Sequence, residues 1–77
     1  MKLFNIDNSE EFFDVVNECK DKVELVKKDG SRIDLKSKLT QNILSIDDHF
    51  SELQLALHNR EDISKLLAYA IDTKYIA

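Results

Sequence analysis

The reactive residues of this chain are two histidines, His49 and His58, one cysteine, Cys19, and a serine, Ser37, set at the start of an apolar helical run. An imidazole can accept and release a phosphoryl group near neutral pH, a thiolate can attack an electrophile, and a serine at a helix start can take a regulatory phosphate. His58 closes the alternating run Leu53–Leu57 just before Asn59, so a helix N-terminus lies close enough to favour an anion; as a polar residue at a strand end it reads as an exposed bystander. Asp47, Asp48 and His49 are contiguous in one loop, which seldom supplies a full coordination shell, so a solvated turn is expected and no metal. Cys19 falls on an apolar stripe beside Glu18, with cations only at Lys20 and Lys22, and reads as a small core residue. No Ser/His/Asp set, glycine-rich phosphate loop or Cys/His zinc spacing occurs, so the expectation is a protein that is not an enzyme and holds no cofactor.

The elements that must position these residues are legible from periodicity. Lys2–Ile6 carries Phe4 and Ile6 at period two, which predicts a first strand with those side chains inward. A helix follows from Ser9 to about Cys19, capped by Asn8 or Ser9, with Glu10 and Glu11 in the first turn and Phe12, Val16 and Cys19 on its core stripe. Phe12 and Phe13 are adjacent, so a helix cannot point both straight at the core; shared burial against sheet and neighbouring helix is expected, a partly exposed, partner-binding aromatic being the alternative. Val23-Glu24-Leu25-Val26 and Ser31–Leu35 alternate on either side of Lys28-Asp29-Gly30, the chemistry of a tight hairpin with a sheet wet on one face. Ser37 caps a second helix whose Leu39, Ile43 and Ile46 recur at i, i+4 and i+7 and are expected to face the core. Leu53, Leu55 and Leu57 form a fourth strand. Asn59 caps a third helix, with Asp62 three residues on in the manner of a capping box and Ile63, Leu66, Leu67, Ala70 and Ile71 as its buried stripe. Phe4, Val16, Leu25, Ile33, Ile43, Leu55 and Leu67 are the predicted core, and Tyr69 and Tyr75 read as surface or boundary residues.

Seventy-seven residues with 43% hydrophobic content fit one thin core, so residues 1–77 form a single domain, with no proline and only Gly30 to break it. The resulting βαββαβα order predicts an α+β open-faced sandwich, a four-stranded antiparallel sheet with three helices on one face. A net charge of −4 and a sequence pI near 5.0 disfavour nucleic acid and anionic membrane surfaces as partners. A lone cysteine and the lack of an apolar leader or spanning segment suit a monomer in a reducing cytoplasm.

The element order, together with the hairpin followed by Ile33-Asp34-Leu35-Lys36-Ser37-Lys38-Leu39, resembles HPr, the histidine-containing phosphocarrier family of the bacterial sugar phosphotransferase system. The resemblance spans nearly the whole chain and implies a sheet of order 1-4-2-3. In that family a histidine at the N-terminus of the first helix carries the phosphoryl group and an arginine two residues later holds it. Here those positions fall at Asn8 or Ser9 and at Glu10 or Glu11, so the site is degenerate and acid stands where a cation is needed. Lys36-Ser37 matches the lysine-serine pair opening the second helix, and the resemblance implies regulatory phosphorylation at Ser37. The family's docking patch corresponds to Lys38, Leu39 and Asn42, of which two are polar.

Three functions therefore compete. One is an HPr-like regulatory or protein-interaction module without histidine phosphocarrier activity, whose partner would be a regulator or kinase of the phosphotransferase system. Another is a phosphocarrier using His58. The third is a ferredoxin-like or ACT-like small-molecule sensor, whose sheet would run 4-1-3-2.

Overall fold

In the computed structural model, which describes residues 1–46 and 49–73 with side chains through Ile71, seven elements follow the expected order. They are β1 (Lys2–Ile6), α1 (Ser9–Glu18), β2 (Val23–Val26), β3 (Arg32–Asp34), α2 (Lys38–Leu44), β4 (Phe50–Leu57) and α3 (Arg60–Thr73). Asp29-Gly30 closes the β2–β3 hairpin: Gly30 adopts φ 87°, its amide donates to the Lys27 carbonyl at 2.9 Å, and Asp29 accepts from the Ser31 amide and hydroxyl. The strands form one antiparallel sheet in the order β1-β4-β2-β3. That order is the 1-4-2-3 expectation, and it excludes the 4-1-3-2 arrangement of a ferredoxin-like sheet.

Register places Leu3 opposite Leu53, Leu25 opposite Leu55 and Val23 opposite Leu57, so these aliphatic side chains share the inner face. The outer face is wet and charged, with Lys2 paired to Glu52 at 3.5 Å and Glu24 flanked by Arg32 and His58. Strict alternation fails in β1. Asn5 takes φ 54°, a left-handed value that Asn tolerates, and the local twist brings both Leu3 and Ile6 inward while Phe4 is only half-buried. Opposite Ile6, Phe50 also turns in, its ring centroid 6.3 Å from those of Phe12 and Phe13.

Leu3, Ile6, Phe12, Phe13, Val16, Cys19, Val23, Leu35, Leu53, Leu55, Leu66 and Ala70 form the core. Phe12 and Phe13 are both buried, with centroids 5.4 Å apart. Tyr69 is a boundary residue, half-buried with its ring 6.4 Å from Phe12. The helical stripes are narrower than periodicity implied. Of the stripe expected on α3, Leu66 and Ala70 are buried, whereas Ile63, Leu67 and Ile71 are exposed, because α3 packs mainly on α1 and β4 along one side. Leu25 and Ile33 are half-buried, since they lie toward the β3 edge of the sheet. Asp62 does not close a capping box. Its buried carboxylate instead accepts from the Lys20 and Asp21 amides at 2.8 and 3.0 Å, and Asn59 caps α3 through the Glu61 amide while its own amide group donates to Asp21. The turn after α1 is thereby fastened to the start of α3.

Candidate functional site

The N-terminus of α1 is the place where an HPr-like phosphoacceptor would stand. Asn8 is its N-cap, and the Asn8 side-chain oxygen accepts from the Glu11 amide at 3.0 Å. Ser9 is the first helical residue and is buried. Glu10 and Glu11 are exposed in the first turn, where the positive end of the helix dipole favours them. The helix end is therefore already capped by its own side chains and carries net negative charge, and neither Asn8 nor Ser9 offers a phosphate-accepting nitrogen.

Ser37 is the N-cap of α2, with its hydroxyl accepting from the Thr40 amide at 3.4 Å. Lys36, the other half of the pair, turns away from Ser37. Its ammonium donates to the Cys19 carbonyl at 2.7 Å and to the Asp21 carbonyl at 3.4 Å, serving the C-terminus of α1. Lys38 is exposed and is the neighbouring cation left to Ser37.

The largest departure from the sequence expectation is the orientation of α2. Its half-buried side consists of Ser37, Thr40, Gln41 and Leu44, while Lys38, Leu39, Asn42 and Ile43 face solvent. Leu39 is 70% exposed, Ile43 59% and Ile46, just past the helix, 85%. Ile43 is thus not core. Polar bonds decide the rotation: the Gln41 amide donates to the Leu35 carbonyl at 2.8 Å and to the Asn17 side-chain oxygen at 2.7 Å, and Asn17 returns a longer bond. With Leu35 fully inside and Gln41 locked to α1, the apolar stripe can only point outward. Full burial of such a side chain is worth roughly 1.5–3 kcal/mol, and each of the three forgoes the larger part of it.

Beside the stripe, a hollow of about 410 Å³ separates α1 from α2 and is lined by Glu10, Asp14, Asn17, Gln41, Asn42 and Ser45 among others. A wider hollow of about 630 Å³ by the hairpin turn is of mixed charge, holding Lys27, Lys28 and the Lys2–Glu52 pair.

His58 and Cys19 are accounted for by their surroundings. The His58 Nε2 donates to the Glu24 carboxylate at 2.7 Å; that bond, more than the Arg32 contact at 3.4 Å, holds the Glu24 carboxyl below its ordinary range. A carboxylate against the ring repels an approaching phosphoryl group. The Cys19 thiol donates to the Val15 carbonyl, and burial, with Asp62 nearby, pushes its pKa up, away from the reactive thiolate. His49 is exposed; the proposed turn with Asp47 and Asp48 lies outside the described residues, as does Tyr75. Among the described residues, no cluster of metal-ligating side chains and no helix long and apolar enough to cross a membrane occurs.

Compared with protein-family models, curated proteins and solved structures, the chain matches none. The site residues missed from sequence are Ile43 and Ile46. The available signal was the competing stripe Ser37, Thr40, Gln41, Leu44 at i, i+3, i+4 and i+7, whose amide could bond where an aliphatic side chain could not.

Proposed function

We propose that this protein is an HPr-like regulatory or protein-interaction module, related to the bacterial sugar phosphotransferase system and acting in the cytoplasm, that binds a partner protein through the outward face of α2 and carries no phosphoryl group on histidine. The observation that carries this reading is the Leu39, Ile43, Ile46 stripe turned to solvent on and just past a helix whose inward side is mostly polar. The strand order and the Lys36-Ser37 start of α2 support the relationship. The self-capped, acidic α1 N-terminus and the Glu24 carboxylate on His58 weigh against carrier chemistry.

Two measurements test it. Incubation with phosphoenolpyruvate and the first enzyme of the phosphotransferase system, with an authentic HPr alongside, should leave the chain without acid-labile phosphate. Photo-crosslinking from Leu39 in cells should trap a partner whose yield collapses in Ile43→Asp/Ile46→Asp with the circular dichroism spectrum unchanged. Hydroxylamine-sensitive phosphate on His58 or His49, or crosslinking indifferent to the two substitutions, would overturn the reading.

A further inference from the structure

Resting on that docking reading, we infer that the partner presents a basic amphipathic segment whose apolar residues cover Ile43 and Ile46 while an arginine enters the hollow between α1 and α2. The argument is charge complementarity alongside an uncovered apolar stripe. Glu10, Glu11, Asp14 and Glu18 are all exposed on α1, which contains no lysine or arginine. Among the described residues, Glu10 and Asp14, four residues apart on one helical face, are the charged groups lining the hollow, and Lys38, the one cation of α2, does not line it. Two like charges at that spacing repel, so a cation seated between them meets two attractions at once. A guanidinium suits the place better than an ammonium, because its planar fork can serve both carboxylates and still donate to neighbouring side-chain oxygens. Asn42 and Ser45 wall the hollow and sit one position from Ile43 and Ile46, so an arginine bound there brings the residues flanking it onto the stripe. An acidic or purely apolar segment would leave Glu10 and Asp14 desolvated without a counter-charge.

The side-chain amide resonances of Asn17, Gln41 and Asn42 line the hollow and report its occupancy. Titration with N-acetyl-arginine methylamide should shift them in a saturable manner, and the uncharged isostere N-acetyl-citrulline methylamide should not. A helical peptide, acetyl-LARLLARLLARL-amide, should bind more tightly than either and also perturb Leu39, Ile43 and Ile46, while its glutamate counterpart should not bind. Glu10→Gln/Asp14→Asn, folded by circular dichroism, should weaken the arginine peptide by about tenfold or more. Ile43→Asp/Ile46→Asp should weaken the peptide yet leave arginine amide in the hollow. Equal shifts from citrulline, or peptide binding indifferent to Glu10 and Asp14 but sensitive to Ile43 and Ile46, would overturn the arginine assignment while sparing the docking face. Indifference of the peptide to Ile43 and Ile46 as well would remove both.

Discussion

Lys36 shows how a residue's role is set by its partners and not by its neighbours in sequence. Its ammonium belongs to the Cys19 and Asp21 carbonyls, so Lys36→Met should lower stability by about 1–2 kcal/mol in a urea titration, the worth of a charge-assisted bond at a helix end. The same engagement limits what phosphorylation at Ser37 can gain. With Lys36 turned away, a phosphoserine should stabilise the chain by only the dipole contribution, about 0.3–1 kcal/mol; mass spectrometry after incubation with an HPr kinase, followed by thermal melting of the modified protein, measures both steps. At the other helix start, Asn8→His alone should accept no phosphoryl group, because Glu10 and Glu11 still repel it. Measurable acid-labile phosphate is expected only when Asn8→His is joined with Glu10→Arg.

Within α2 the sequence pattern and the packing point in opposite directions, and mutational energetics separate them. Were Leu39, Ile43 and Ile46 core, truncating Ile43 to alanine would cost 2–5 kcal/mol by analogy with buried aliphatic positions, roughly the range for large-to-small core changes. Exposed as they are, Ile43→Ala and Ile46→Ser should each change stability by less than about 0.5 kcal/mol, while Gln41→Ala, which removes the bonds to Leu35 and Asn17, should cost about 1–3 kcal/mol. Chemical denaturation of the three variants ranks them directly. A reversed ranking would return the stripe to the core.

At the scale of the molecule, one thin core must hold the sheet to α1 and α3. Phe12 sits at its centre against Phe13, Phe50 and Tyr69, so Phe12→Ala should cost about 3–5 kcal/mol, a large share of what a domain of this size has to lose. Acid should act through two long-range carboxylates. The His58 bond holds Glu24 low, and the Lys20 amide, then the Asp21 amide, hold Asp62 low against its burial. A carboxyl with a depressed folded-state pKa gives its full stabilisation above the ordinary carboxylate range and loses it as the pH falls through the depressed value. The unfolding midpoint should therefore be steady from neutral pH to the ordinary carboxylate range and fall below it, and Glu24→Gln/Asp62→Asn should flatten that fall, as urea titrations at stepped pH would show.

From the sequence alone came the element order, the hairpin at Asp29-Gly30, the Ser37 and Asn59 caps, an α1 cap narrowed to Asn8 or Ser9, and the absence of a histidine where α1 begins. These are local matters: a tight turn needs a residue free of Cβ, a helix start needs a side-chain acceptor, and both lie within a few residues of the groups they serve. Tertiary structure alone decided which side of each stripe is wet. Whether Leu39, Ile43 and Ile46 or the Gln41 side of α2 meets the core depends on a carbonyl at Leu35 and an amide at Asn17, the latter 24 residues away. Asp62 likewise looks like part of a local cap until the Lys20 and Asp21 amides arrive beside it. Periodicity measures how apolar a face is, but the half-buried Gln41 amide finds its partners where the fold has put them, and those bonds hold the apolar face of α2 outward.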